Sequence, residues 1–228
     1  MKLDSVYSSA HLMYIDNGSL DRYGNAIIHD FAPELLNEPQ PVDIEAFVED
    51  YLKLPEVEYQ RLSLDGSVHG MTAFDTGLIE VFHEDTDMPK KIPVEAGTIL
   101  IDISLADEKG EHRRRFTTMH EASHWLLHRN IPIPTEALMM ERQADFLAST
   151  LLMPLSAIRI AFRNYFGFYA MQPRQIIRNA STWDNAIAAQ LPEYLEKIFN
   201  VSPEAAMIRL EKLNALVDSE PMKLGKLG

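Results

Sequence analysis

The chain has 228 residues, enough for one large domain or a domain with a small appendage, and its 46% hydrophobic and 24% charged residues are ordinary globular composition. It contains no cysteine, which excludes a disulfide framework and any thiolate metal site, so a metal would have to be held by His, Asp or Glu. The 34 acidic and 21 basic residues leave a formal net charge of −13, which disfavours direct nucleic-acid binding because phosphates repel an acidic surface. No apolar run is long enough to span a membrane, and residues 1–17 lack the apolar core of a signal peptide. Together with the missing cysteines, this reads as a cytoplasmic protein with no membrane partner.

Residues 1–18 show no period and read as an extended lead-in. Residues 19–36 read as a helix with Ile27, Ile28, Phe31 and Leu35 on one side, weakened in its second half by Pro33. Asp43 is placed to cap a short helix with Ile44, Phe47, Val48 and Tyr51 inward, ended by Pro55. Strands are predicted over 57–64 and 68–74, joined as a hairpin through Asp65-Gly66, then over 78–83 after the turn Asp75-Thr76-Gly77. The acidic stretch 84–97 contains Pro89 and Pro93 and reads as a loop, and 98–103 reads as a further strand.

Two helices follow, over 113–129 and, capped by Thr135, to about Met153, with Pro154 stopping the second or opening another. From Leu155 to Trp183 there is no acidic residue but there are four arginines, Arg159, Arg163, Arg174 and Arg178. They read as a solvated or salt-bridged connector, or else as a docking surface for an acidic partner. Residues 185–199 and 203–217 read as a helical pair, the second capped by Ser202 with Pro203 in its first turn. The predicted fold class is α+β: a small twisted sheet from 57–103 packed on the helix at 113–129, with a C-terminal helical appendage. The expected divisions are a lead-in and helix at 1–40, a main domain at 41–154, a connector and helical subdomain at 155–217, and a tail at 218–228.

The chemistry centres on His120-Glu121-Ala122-Ser123-His124. Residues four apart share a helix face, so the two imidazoles can converge on one ion, and imidazole suits zinc. Glu121 lies beside them, where its carboxylate can take a proton from the attacking water. This spacing on a helix is the zinc-peptidase signature. A catalytic zinc also needs a third protein ligand and an open position. A metzincin would place a histidine where this chain has Asn130, so that reading fails. His128 is turned away from the first two on a straight helix, fitting a supporting or substrate-contact role, or a plain helix-end residue near the dipole. Glu141 on the next helix would complete a His-His-Glu set. Asp145, four residues on, could then accept the second N–H of a ligating imidazole. The bland alternative for this pair is an exposed acidic face.

Arg115-Phe116-Thr117-Thr118-Met119-His120-Glu121, His124-Trp125-Leu126-Leu127-His128, Glu141 to Asp145, Phe146-Leu147-Ala148 and Leu151-Leu152-Met153-Pro154 together resemble the ImmA/IrrE family of metallopeptidases. The resemblance extends weakly through Pro41-Val42-Asp43-Ile44 and Leu64-Asp65-Gly66 upstream, and through Phe199-Asn200-Val201-Ser202 and Arg209-Leu210-Glu211-Lys212-Leu213 downstream. It implies a compact zincin fold, Zn2+ as cofactor and Glu141 as third ligand. It also implies a regulatory role, in which a helix-turn-helix repressor is the protein partner and is cut. In zincins a sheet edge above the site binds substrate as an added strand, for which 98–103 is one candidate. Two departures from the family are Ser123, where glycine is usual, and the long stretch after Pro154.

Three functions compete. The first is an active endopeptidase with Glu121 as general base and then proton donor, for which His128, Tyr165 and Tyr169 are candidate substrate or oxyanion contacts. The second is a catalytically weak zincin that works as a protein-binding module, against which the intact Glu121 argues. The third is DNA binding through the helices at 185–199 and 203–217. There Glu204, Arg209, Glu211 and Lys212 sum to zero charge, which is poor for a recognition helix.

Overall fold

The structure, a computed structural model, describes residues 14–131, 137–167, 175–178 and 181–218. The chain is mixed α and β, with small sheets and several helices. The first helix, α1 (Asn17–Phe31), starts one turn after Tyr14 because Asp16 caps it, accepting from the Ser19 N–H. It stops before Pro33, and Pro33–Leu36 forms a separate 3-10 turn, so the single helix expected over 19–36 is broken where proline removes a donor. Asp43 does cap the next element, accepting from the Ala46 N–H, although Ala46–Tyr51 is wound as a π-helix with Phe47 and Val48 fully buried.

The strands are β1 (Glu58–Gln60), β2 (Gly70–Thr72), β3 (Gly77–Phe82), β4 (Pro89–Val94) and β5 (Ile99–Asp102). The predicted hairpin through Asp65-Gly66 is corrected: β1 and β2 do not pair. β5 lies between them, parallel to β1 and antiparallel to β2. Its four residues are all buried, and a strand that satisfies both neighbours and faces apolar groups on both sides belongs at the centre. The strand at 98–103, expected as a sheet edge, is therefore central, and β2 lies at the edge instead. The loop expected over 84–97 contains β4, which pairs antiparallel with β3 from Gly77↔Val94 to Phe82↔Pro89. Its prolines are tolerated because this two-stranded sheet has only edge strands.

The three-stranded sheet separates two apolar clusters. Ile99 and Ile101 face the helices, whereas Leu100, with Leu62, Ala73, Val81 and Val94, faces the β3–β4 hairpin. Against the first side lies α2 (Glu111–His128), contacted by β2 and β5, and α3 (Ala137–Leu152) packs along α2. The Thr135 cap expected for α3 lies outside the described residues. Pro154 ends α3 and caps α4 (Leu155–Phe166).

Beyond α4, the short β6 (Ile176–Arg178) pairs parallel with β7 (Leu216–Asp218), neither foreseen as a strand. The predicted helix over 203–217 is thus shortened to α6 (Pro203–Lys212), still capped by Ser202. Before it, α5 (Thr182–Phe199) ends at Asn200 in the left-handed conformation. Arg178 of the arginine-bearing segment is ion-paired with Glu211 and Asp218. No single helix among the described residues is long and apolar enough to cross a membrane.

Leu191, Leu195 and Phe199 of α5 and Ala206 and Leu210 of α6 belong to the same buried cluster as α1, α2 and α3. Arg209 of α6 is fully buried and donates to Asp21 of α1 at 2.5 Å and to the Met153 carbonyl at 3.3 Å, with its guanidinium over the Phe146 ring. Thr150 of α3 also donates to Asp21. One carboxylate thus joins three helices and compensates a charge that water cannot reach. Asp21→Ala should cost about 3–5 kcal/mol, the usual penalty for orphaning a buried charge. A thermal melt checks this: a midpoint lower by about 10 °C is expected for a chain of this size, and an unchanged midpoint would refute the role of the pair.

Candidate metal and catalytic site

The α2 helix brings His120 and His124 together because the spacing of four residues puts both on one face. Their Nε2 atoms are 3.0 Å apart. From α3, the Glu141 carboxylate approaches both, at 3.2 Å from His120 Nε2 and 3.4 Å from His124 Nε2. Atoms of these three residues lie within 4.8 Å of one another, a group that could hold a metal ion. Glu141 is half exposed, but its carboxylate turns to the histidines rather than to open solvent.

The far side of each imidazole is also occupied. His120 Nδ1 lies 3.0 Å from Asp145, one turn beyond Glu141 on the same face of α3. A carboxylate can only accept, so Nδ1 donates to Asp145, and Nε2, turned toward Glu141 and His124, is the nitrogen that would face an ion. His124 Nδ1 lies 3.0 Å from His128 Nδ1, and His128 Nε2 lies 3.1 Å from the Gln143 side-chain oxygen. The consistent assignment has His128 donating to Gln143 and accepting from His124, which frees Nε2 of His124. Two imidazole nitrogens and a carboxylate form a nitrogen-and-oxygen set that suits zinc.

Electrostatics follows the same division. Burial pushes the His124 imidazole down to about 3, helped by His120 and His128, so it is neutral and ready to ligate. Burial also works to lower His120, but Asp145, Glu121 and Glu141 outweigh it and raise its pKa. Burial lowers His128. Burial opposes ionisation of Asp145, yet its bond to His120 and the nearby Lys212 and His124 hold its pKa below the usual range.

Glu121 is buried at 7% exposure, and burial raises its carboxyl pKa. Thr72 of β2 fixes it, donating to Glu121 Oε2 at 2.8 Å and to the Glu121 carbonyl at 2.9 Å. Gly70, two residues earlier on the same strand face, leaves the space. A Cβ there would sit 2.6 Å from Thr117 Cγ2 and 2.8 Å from Glu121 Oε1. Gly70→Ala should therefore push Glu121 off its position, with an overpacking cost of about 1–3 kcal/mol. Cleavage slowed while metal content stays at the wild-type level is the expected pattern; an unchanged rate would show that the close approach is immaterial.

Among the described residues, β2 has no strand paired on its outer edge. His69 O accepts from Asp102 N, and Ala73 N donates to Thr98 O, so the backbone groups of Gly70 and Thr72 face away from β5. The site thus lies below an unpaired strand edge, with Glu121 directly under it.

Of the residues singled out from sequence, His120, Glu121, His124, Glu141 and Asp145 come together. His128 does too, buried at 2% exposure behind His124. Tyr165 is not brought to the group: its hydroxyl donates to Gln190 and its ring lies against Tyr194 and Phe166. Tyr169 lies outside the described residues. Sequence reasoning missed Thr72, Gly70 and Gln143. Only Gly70 left a signal, a glycine in a strand-like run, which marks a bulge or a close backbone approach.

Glu121, two histidines and a carboxylate arranged in this way define a metallopeptidase-type site. Residues 102–211 match the peptidase family model described as the IrrE N-terminal-like domain, a model of the ImmA/IrrE family. The match begins at the end of β5, so β2 with Gly70 and Thr72 comes from outside it. No curated protein matches the chain.

Proposed function

We propose that this protein is a zinc-dependent endopeptidase with a zincin-like core, in which His120, His124 and Glu141 hold the ion and Glu121 is the general base. The observation that carries the reading is Glu121 itself: a buried carboxylate held by Thr72 beside the ligand group and beneath a free strand edge. A purely structural metal site has no use for it. A bound divalent ion supplies Lewis acidity toward the water and the scissile carbonyl. The chain's own residues do the rest. The backbone groups of Gly70 and Thr72 align an extended peptide as an added strand. Glu121 Oε takes the proton of the attacking water and returns it to the leaving amine. Asp145 and His128 keep the two imidazoles in the ligating tautomer.

The match to a peptidase family model supports a protein substrate, and we propose a helix-turn-helix repressor, encoded beside the enzyme and cut in the cytoplasm. The test is incubation of the purified, zinc-loaded protein with that repressor. Discrete fragments with wild type and none with Glu121→Gln are expected. A stable complex without fragments from either protein would instead favour a binding module.

A further inference from the structure

The row Arg113, Thr117, Glu121 runs along the face of α2 that lies under β2. Contacts advance together along strand and helix: His69 meets Arg113, Gly70 meets Thr117 and Glu121, and Thr72 meets Glu121. β2 and α2 therefore point the same way, and Arg113 stands at the His69 end of the cleft. Seven residues separate it from His120, about 10 Å along a helix, or about three residues of extended peptide.

Arg113 is exposed, and among the described residues it meets not a carboxylate but an imidazole: its guanidinium donates to His69 Nε2 at 2.6 Å. Arginine has no acceptor, so Nε2 accepts, and an imidazole brings no negative charge to cancel that of the guanidinium. The neighbouring carboxylates are engaged elsewhere. Glu111 accepts from Asn200, Asp107 from Gly110 N, and Asp102 from Leu62 N and Ser104 N. Arg114 and Arg115 are turned to backbone carbonyls. In a chain with 34 acidic residues, a cation that meets no carboxylate among the described residues, at the end of the cleft, is available to a ligand.

We infer that Arg113 determines specificity by pairing with an acidic side chain of the bound substrate. An added strand antiparallel to β2, the more stable pairing, runs its C-terminal side toward Arg113, so that side chain lies about three residues C-terminal to the scissile bond. The inference rests on the peptidase reading for its register. The chain's net charge of −13 repels acidic peptides in general, so a preference for acid at one position has to come from a local cation.

The test incubates zinc-loaded wild type, Arg113→Gln and Arg113→Glu with an equimolar mixture of random-sequence peptides and reads products by mass spectrometry. Wild type should enrich Asp and Glu about three residues after the cut. Arg113→Gln should lower the acidic-to-neutral ratio about tenfold, as for loss of a charged hydrogen bond. Arg113→Glu should favour Lys and Arg there. No enrichment in wild type, or enrichment that survives both substitutions, would overturn the inference. The peptides retained by Glu121→Gln and by the double variant with Arg113→Gln give a readout that needs no cleavage. Acidic peptides held only when Arg113 is present support the inference even if the wild type cuts nothing, an outcome that would sink the peptidase reading alone. Retention that is absent, or indifferent to Arg113, counts against the inference.

Discussion

Glu121→Gln is expected to keep the fold and the metal while losing cleavage by about two orders of magnitude or more, the low end of general-base contributions. Glutamine preserves the size of the side chain, and its oxygen can still accept the Thr72 hydroxyl that holds Glu121 at 2.8 Å. The amide cannot accept a proton. Burial already raises the Glu121 carboxyl pKa, which favours the proton-accepting role proposed for it. The comparison is of kcat/KM on an authentic substrate at equal zinc content. Equal rates would show that Glu121 is not the base.

His124→Ala should weaken zinc binding by more than the 10–100-fold typical of losing a supporting partner, and cleavage should fall with it. The change removes one of the two imidazole nitrogens and leaves His128 Nδ1 without its partner at 3.0 Å. Burial keeps His124 neutral, so it ligates without first losing a proton. Competition with a chromogenic chelator measures the affinity, and circular dichroism checks that the helix persists. A variant that held one zinc as tightly as wild type would remove His124 from the ligand set.

The helical half of the site was legible because α2 and α3 are long and periodic, and because spacing on one helix is local information. The pairs His120 with His124 and Glu141 with Asp145 each lie on one face, and the resemblance to a known family joined them. The sheet was not legible. Its strands β1 and β2 are three residues long, and Asp65-Gly66 is a true turn signal that here joins strands which do not pair. Pairing of β5 between them depends on contacts some 30 to 40 residues away, such as Leu62 N on the Asp102 carboxylate, which no local pattern records. Pro89 and Pro93 hid β4 because proline argues against a central strand, not against an edge. Thr72 went unseen for the same reason as the sheet: its bond to Glu121 spans 49 residues. Tyr165 was proposed for its chemistry alone, and packing against α5 decides its place instead.

The most direct measurement of the central claim is cleavage rate against zinc occupancy, with zinc titrated into metal-free protein and new amino termini counted as product. The account predicts no cleavage at zero zinc, a rise that saturates at one equivalent, and loss of activity on adding chelator. A rate that does not depend on zinc, or cleavage that persists in excess chelator, would contradict it.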